Sequence, residues 1–299
     1  MTAIMAQSVS SAGYEKYSFG DHSLQNVYVH IPSPQPPSKS GYWIVYIHGG
    51  AWRDPEILAP TFKPTQDVLL ASNNADIAGI ASIEYRLTAH PNFPQDAVSV
   101  NPQEYRNAKH PDHVSDVQKG LALLQEKYAF GERYILAGHS CGATLAFQAV
   151  MNRIVPASNI VRPLAIVGVA GIYDMPFLVK TLSHIPAYRE FITDAFGAEE
   201  VWRKASPAPD TAGGVVESWK NGRVAVLARS TNDELMHASQ LPTMEEALRP
   251  WVAGGEGGKP RRVKVIEDLS ETHDGIWRGG KELASLISVA IKELRDLEA

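Results

Sequence analysis

The sequence predicts an α/β fold built on a mainly parallel, doubly wound sheet, and two observations carry that prediction. Apolar runs rich in β-branched residues alternate with amphipathic stretches along almost the whole chain, the pattern of strands joined by crossover helices. Some runs are apolar nearly throughout, as in "YWIVYIH" (Tyr42 to His48), which is how a strand covered on both faces reads. The 299 residues are read as a single domain of this class.

The elements follow in order. "QNVYVHIP" (Gln25 to Pro32) is an early strand, followed by the Pro/Ser loop "SPQPPSKSG" and the strand Tyr42 to His48. "IAGIASIEYRL" (Ile77 to Leu87) is the next strand. "HVSDVQKGLALLQEKY" places Val114, Val117, Leu121 and Leu124 at helical spacing. "RYILAG" (Arg133 to Gly138) is a strand, and "SCGATLAFQAVMN" after it is a helix of small and apolar residues. "PLAIVGVAGI", "RVAVLARS" and "RRVKVIED" are further strands, and the closing "KELASLISVAIKELRDL" is an amphipathic helix. Two regions break the alternation. Ala89 to Asp112 carries turn formers without a clear period and reads as a long functional loop. Residues 173–217 hold short helical patterns between two strands. They predict a small helical cap over the C-terminal edge of the sheet, where open α/β sheets bind ligands. "AGGEGGKPRR" (Ala253 to Arg262) has the composition of a flexible surface connection.

Composition narrows the function classes. With 44% hydrophobic and 20% charged residues the chain is ordinary for a soluble protein. A net charge of −5 without a dense Lys/Arg run argues against nucleic acid or an anionic membrane as main partner. The one cysteine, Cys141, excludes an internal disulfide and a Cys-rich metal site. The N-terminal stretch lacks a basic start followed by an apolar core, and no window approaches the roughly 20 apolar residues a span needs. These features predict a cytoplasmic protein with a reduced thiol.

The chemistry concentrates at strand ends. Gly138-His139-Ser140-Cys141-Gly142 is G-x-S-x-G, set between a strand and a helix. That is the context of a nucleophile elbow, in which the serine projects from a strained turn at a helix start. The alternative is a plain glycine turn with Ser140 as N-cap. A serine nucleophile needs an imidazole as base and a carboxylate to orient it, in the chain order Ser, acid, His. Beyond Ser140 lie only His184, His237 and His273, and His273 alone follows the last strand. For the acid, the strand "RVAVLARS" delivers Asp233 and Glu234 side by side. Asp233 is preferred for its shorter arm, with Glu234 as runner-up and Asp174 as a weaker rival that reads better as a helix-cap carboxylate. Finally "HGGA" (His48 to Ala51) ends the buried strand where main-chain N–H groups would meet a developing oxyanion. The N–H groups of Gly49, Gly50, Ala51 and Cys141 are the candidates, and His48 reads as a hydrogen-bonder that shapes the loop.

Together these residues resemble the kynurenine formamidase (arylformamidase) family of the α/β-hydrolase superfamily, which carries HGGxW; here it is "HGGAW". The similarity extends through "SIEYRL", "HPDHVSDV", "GHSCGA", "GIYD", "ASP", "NDEL" and "THDGIW" and so spans most of residues 25–295. The resemblance implies an α/β-hydrolase fold and hydrolysis of N-formyl-L-kynurenine to L-kynurenine and formate. It implies Ser140, Asp233 and His273 as the triad, His48 to Trp52 as the oxyanion segment, no cofactor, and a small aryl formamide as partner. It leaves room for a homodimer. Trp52 is a candidate to stack on the substrate ring or wall its pocket, with a purely packing role as the rival. A short-acyl carboxylesterase and a non-catalytic hydrolase-fold binding protein are the alternative functions.

Overall fold

The computed structural model describes residues 14–32, 40–72, 74–154, 160–209, 212–255 and 259–299. In chain order the elements are β1 (Glu15–Ser18), β2 (Asn26–His30), β3 (Tyr42–Ile47), α1 (Lys63–Ala71), β4 (Ile77–Ile83), α2 (Asp112–Tyr128), β5 (Tyr134–His139) and α3 (Cys141–Gln148). There follow β6 (Ala165–Val169), α4 (Met175–Thr181), α5 (Pro186–Phe196), α6 (Glu199–Ala205) and α7 (Val215–Ser218). The chain closes with β7 (Val224–Ser230), α8 (Gln240–Ala253), β8 (Arg262–Leu269), α9 (Gly275–Gly279) and α10 (Lys281–Glu298). The strands form one eight-stranded sheet in the order β1-β2-β4-β3-β5-β6-β7-β8. Pairing is antiparallel from β1 to β4 and parallel from there to β8.

The apolar run of β3 explains the layering. Its residues alternate between faces, and both faces are covered. Trp43, Val45 and Ile47 join one core with Val114, Val117, Leu121 and Leu124 of α2 and the apolar side of α3. Tyr42, Ile44 and Tyr46 join a second core against Leu69 of α1 and Leu283, Leu286, Ile287 and Leu294 of α10. Every expected strand and helix is present. The reading missed β1, a four-residue edge strand without a fully buried position, because its half-exposed residues show no apolar pattern. Most of the loop 33–41 and the centre of the connection 253–262 lie outside the described residues.

The run at 77–87 pairs only as far as Ile83. Beyond it the chain leaves the sheet and delivers Glu84, Tyr85 and Arg86 toward the C-terminal edge. Arg86 is fixed by a bidentate pair with Asp116 of α2, Nε–Oδ2 2.7 Å and Nη2–Oδ1 2.9 Å. The buried Asp116 also accepts Gln25 Nε2 at 2.8 Å and the Arg86 N–H at 3.1 Å. This pinning holds α2 against the end of β4. Asp116→Ala leaves the Gln25 amide and the Arg86 main-chain N–H without their acceptor and the guanidinium with only Asp112 at 3.4 Å. It should lower the free energy of unfolding in urea by about 2 kcal/mol, whereas Asp67→Ala, in an exposed pair with Lys63, should cost less than about 1 kcal/mol.

Candidate active site

Parallel strands bring their C-terminal ends to one edge of the sheet, and segments following β3, β5, β7 and β8 meet there. Between β5 and α3 stands Ser140 at φ 55°, ψ −127°, a conformation that side chains with a Cβ adopt only when the surroundings enforce it. Its N–H donates to the Val169 carbonyl of β6 at 2.8 Å and its carbonyl accepts from Ala143 at 3.0 Å. The hydroxyl makes no helix-capping bond, so the N-cap alternative is not realised. The flanking glycines are steric necessities. A Cβ on Gly138 would lie 2.3 Å from the Gly142 carbonyl oxygen, and one on Gly142 would lie 2.2 Å from that of Ile47.

His273 lies between β8 and α9, with 5% of its surface exposed, and its ring is 4.6 Å from that of His139, the residue before Ser140 in the elbow. Its Nδ1 meets Asp233 Oδ2 at 2.9 Å and Oδ1 at 3.0 Å. A carboxylate only accepts, so Nδ1 carries the proton and Nε2 is left as the acceptor. The carboxylate is itself held, because Oδ1 also accepts the N–H groups of Leu235 at 2.9 Å and Met236 at 2.8 Å. Burial alone would raise the Asp233 pKa, but the His273 ring and these N–H groups outweigh it and hold the carboxyl below its ordinary range. Glu234 takes a different bond: its Oε2 accepts the His273 main-chain N–H at 3.0 Å, so it fixes the loop and not the ring. Asp174 caps α4 through the Phe177 N–H at 2.9 Å, the helix-cap reading. His237 bonds Ser239 Oγ at 2.8 Å, apart from this cluster.

The loop after β3 passes directly over the elbow. A Cβ on Gly49 would stand 3.2 Å from Ser140 Cβ and 3.1 Å from the His139 carbonyl oxygen. The Gly49 carbonyl accepts from His48 Nδ1 at 2.9 Å and from the Tyr85 hydroxyl at 3.1 Å. The peptide unit is planar and trans. Pinning this carbonyl therefore points the Gly50 N–H of the same unit in the opposite direction. Gly50, Ala51 and Trp52 then follow at φ 93°, 48° and 61°. Among the described residues, the N–H groups of Gly50 and Cys141 meet no main-chain acceptor. The Trp52 N–H donates to Cys141 Sγ at 3.2 Å, and the N–H groups of Ala51 and Cys141 also face this sulfur. Gly49 serves by its missing Cβ and its held carbonyl.

The Trp52 indole is 0% exposed and packs edge-on to Phe196 at 4.9 Å and tilted on Phe191 at 6.1 Å, contacts with α5 that favour the packing role. The next residue, Arg53, ties the loop to the same helix through Glu190 at 3.1 Å and Asp194 at 3.3 Å. Sequence reading passed over this clamp. It also passed over His139, whose buried ring lies 4.6 Å from that of His273, and Glu84 and Tyr85 behind the loop. Tyr85 and Glu84 had a signal, in that "SIEYRL" continues a strand pattern beyond the sheet with polar residues. An open cleft of about 1120 Å³ lies among the cap helices, lined by Asp174, Phe177, Lys180, Arg189 and Arg203 but not by Ser140 or His273.

No family model matches the chain. Curated proteins do. A kynurenine formamidase-like hydrolase of Fusarium equiseti is 42% identical over 266 residues, covering 87% of this chain and 86% of that protein. A kynurenine formamidase of Aspergillus versicolor is 37% identical over 79% of this chain and 84% of its own. One from Meyerozyma guilliermondii is 31% identical over 81% and 82% respectively. Among solved structures, carboxyl esterase 2 of Tuber melanosporum superposes with a TM-score of 0.63 at 16% identity, covering 97% of this chain and 89% of that one. An esterase of Rhizomucor miehei gives 0.63 at 14% identity, covering 95% and 83%. These structural likenesses establish the α/β-hydrolase fold.

Burial near the site sets a pH dependence of stability. Loss of hydration is the leading cause that moves the pKa of His48 down to about 4 and of His113 to about 3, and it lowers His139 well below the ordinary value. Below about pH 6.5 the unfolded chain takes up these protons while the folded chain does not. Stability is thus present above that pH and is lost as pH falls toward the folded values. Glu84, raised to about 7 mainly by burial, opposes one histidine over the same interval, since it is protonated in the folded state first. The balance predicts a fall of about 2 kcal/mol in unfolding free energy between pH 6.5 and 5.5, measured by urea titration at the two pH values. Equal stability at both would contradict the burial of these rings in neutral form.

Proposed function

The chain belongs to the kynurenine formamidase family of α/β-hydrolases, and from that premise we propose that it hydrolyses N-formyl-L-kynurenine to L-kynurenine and formate through Ser140, His273 and Asp233. The observation that carries the mechanism is the 2.9 Å bond from His273 Nδ1 to Asp233, which leaves Nε2 basic at the edge where Ser140 projects. Ser140 Oγ attacks the formyl carbon as His273 Nε2 takes its proton. The negative charge that forms on the formyl oxygen meets the N–H groups of Gly50 and Cys141. The imidazolium, stabilised by Asp233, then protonates the anilide nitrogen as the C–N bond breaks and L-kynurenine leaves. Water, deprotonated by His273, attacks the formyl-serine and releases formate. No step calls for a cofactor.

Two features support an acyl group as small as formyl. Ser140 and His273 show only a narrow face to solvent, and the loop after β3 runs so close to the elbow that a Cβ at Gly49 would stand 3.1–3.2 Å from His139 and Ser140. Among the described residues no helix is long and apolar enough to cross a membrane. A cytoplasmic location and a homodimer are further parts of the proposal, read out by cell fractionation and by sedimentation velocity.

The competing reading is a short-acyl carboxylesterase using the same groups. Comparing kcat/KM on N-formyl-L-kynurenine and on p-nitrophenyl acetate separates the two, and an ester preference of several orders of magnitude would overturn the formamidase assignment. Ser140→Ala should lower formate release by about 10⁴-fold or more; intact activity would remove the mechanism. The two neighbouring carboxylates should differ sharply. Asp233→Asn should cost about 10³- to 10⁴-fold in kcat. Glu234→Gln, which keeps an acceptor for the His273 N–H, should cost less than about tenfold.

A further inference from the structure

Behind the oxyanion loop lies a second carboxyl–imidazole contact that the proposed mechanism does not use. Glu84 is 2% exposed and His48 fully buried, with Glu84 Oε1 3.5 Å from His48 Nε2. The same oxygen receives the Ala59 N–H at 3.3 Å. Burying a carboxyl and an imidazole together is expensive unless each satisfies the other. His48 Nε2 has no formed hydrogen bond to any described residue, which makes Glu84 the polar group it faces.

The chemistry of the ring decides what that contact does. His48 Nδ1 lies 2.9 Å from the Gly49 carbonyl, which can only accept, so this bond forms only in the tautomer that carries hydrogen on Nδ1. A neutral imidazole has one N–H, and Nε2 is then a bare acceptor. Burial lowers the His48 pKa to about 4 and raises that of Glu84 to about 7, which favours a carboxylic acid facing a neutral ring. Such an acid has the one hydrogen that a bare Nε2 lacks. The ring is also clasped from its face by Tyr85, stacked at 4.3 Å and 8°, whose hydroxyl lies 3.1 Å from the carbonyl oxygens of both His48 and Gly49 and shares its one hydrogen between them.

We propose that Glu84 is a positioning residue for the oxyanion hole: its carboxyl proton, offered to His48 Nε2, holds the tautomer whose Nδ1–H fixes the Gly49 carbonyl and so aims the Gly50 N–H at the reacting oxygen. The triad and this pair then use one principle from opposite sides. Asp233 accepts from the Nδ1–H of His273 and leaves Nε2 basic. Glu84 donates to the Nε2 of His48 and leaves Nδ1 a donor. The role rests on the reading of this loop as the oxyanion hole.

The test reads the tautomer and the rate separately. In ¹⁵N-labelled protein at pH 7 without substrate, long-range ¹H–¹⁵N correlation should report His48 as the neutral Nδ1–H form, with its peaks assigned by their loss in His48→Gln. Glu84→Gln keeps a donor for Nε2 and should retain that tautomer, with kcat within about threefold of the parent. Glu84→Met, of similar length but without a donor, should lower kcat about 10- to 100-fold with KM nearly unchanged and shift His48 toward the Nε2–H form. A parent protein with His48 as Nε2–H or imidazolium overturns the proposal, as does a folded Glu84→Met with parental kcat. If Glu84→Met does not fold, a tenfold or larger loss in Glu84→Gln overturns it equally. The same comparisons hold on whichever substrate the enzyme prefers, so a failure here is distinct from a failure of the formamidase reading.

Discussion

The approach of the start of α3 to the end of β3 is the constraint on which the site depends. At Gly142 the elbow helix lies so close to the carbonyl oxygens of Ile47 and His48 that a methyl group there would stand 2.2 and 2.5 Å from them. That proximity sets the nucleophile turn and the oxyanion loop face to face, since one begins where α3 begins and the other where β3 ends. A change that separated the two would leave the fold intact and the chemistry without its geometry. Packing in both cores therefore has a catalytic consequence: the faces of β3 and the apolar side of α3 hold this distance. Ser140 keeps a strained backbone because the sheet leaves it no other path, with its N–H already committed to Val169.

Three buried imidazoles cluster at this edge, and their surroundings sort them. His273 has a carboxylate at Nδ1, itself held by two N–H groups, which fixes the ring's orientation. His139, its ring tilted against that of His273, has no hydrogen-bond partner for either nitrogen among the described residues and is held neutral by burial. His48 faces a carboxyl too deeply buried to ionise readily. One residue type thus performs different duties according to what stands 3 Å from each nitrogen, and sequence position alone could not rank them beyond chain order.

That limit marks how far the sequence was legible. Strands covered on both faces announce themselves by uninterrupted apolar runs, and the elbow by glycines at a strand-to-helix junction; both need only local information. The pairing of His273 with a carboxylate near residue 233 followed from the order of strands, and the choice of Asp233 over Glu234 from arm length, which agrees with the observed ring contact. What stayed hidden depends on three-dimensional direction. Nothing local says that Ala51 and Trp52 turn left-handed, that their N–H groups meet a sulfur, or that the indole points inward. Glu84 looked like a polar strand residue because its partner lies 36 positions away in sequence, on the neighbouring strand's end. The four-residue β1 lacked both pattern and burial.

The pair Ala51-Trp52 has an energetic logic that joins the loop after β3 to α5. A left-handed residue with a side chain costs roughly 1–2 kcal/mol each, and the Trp52 indole N–H is left without an acceptor among the described residues, about 1–3 kcal/mol more. Against this, burying an indole removes some 200 Å² from water, about 5 kcal/mol, and the turn gains bonds from the N–H groups of Arg53, Asp54 and Thr88 to the loop carbonyls at 2.9 Å. The terms are close enough that the loop holds its shape only while α5 is docked on Trp52 and on Arg53. A glycine at residue 52 would remove the strain and the anchor together, leaving the donors free to wander. Through Trp52 and Arg53 the loop after β3 is thus anchored on α5, one of the helices inserted between β6 and β7.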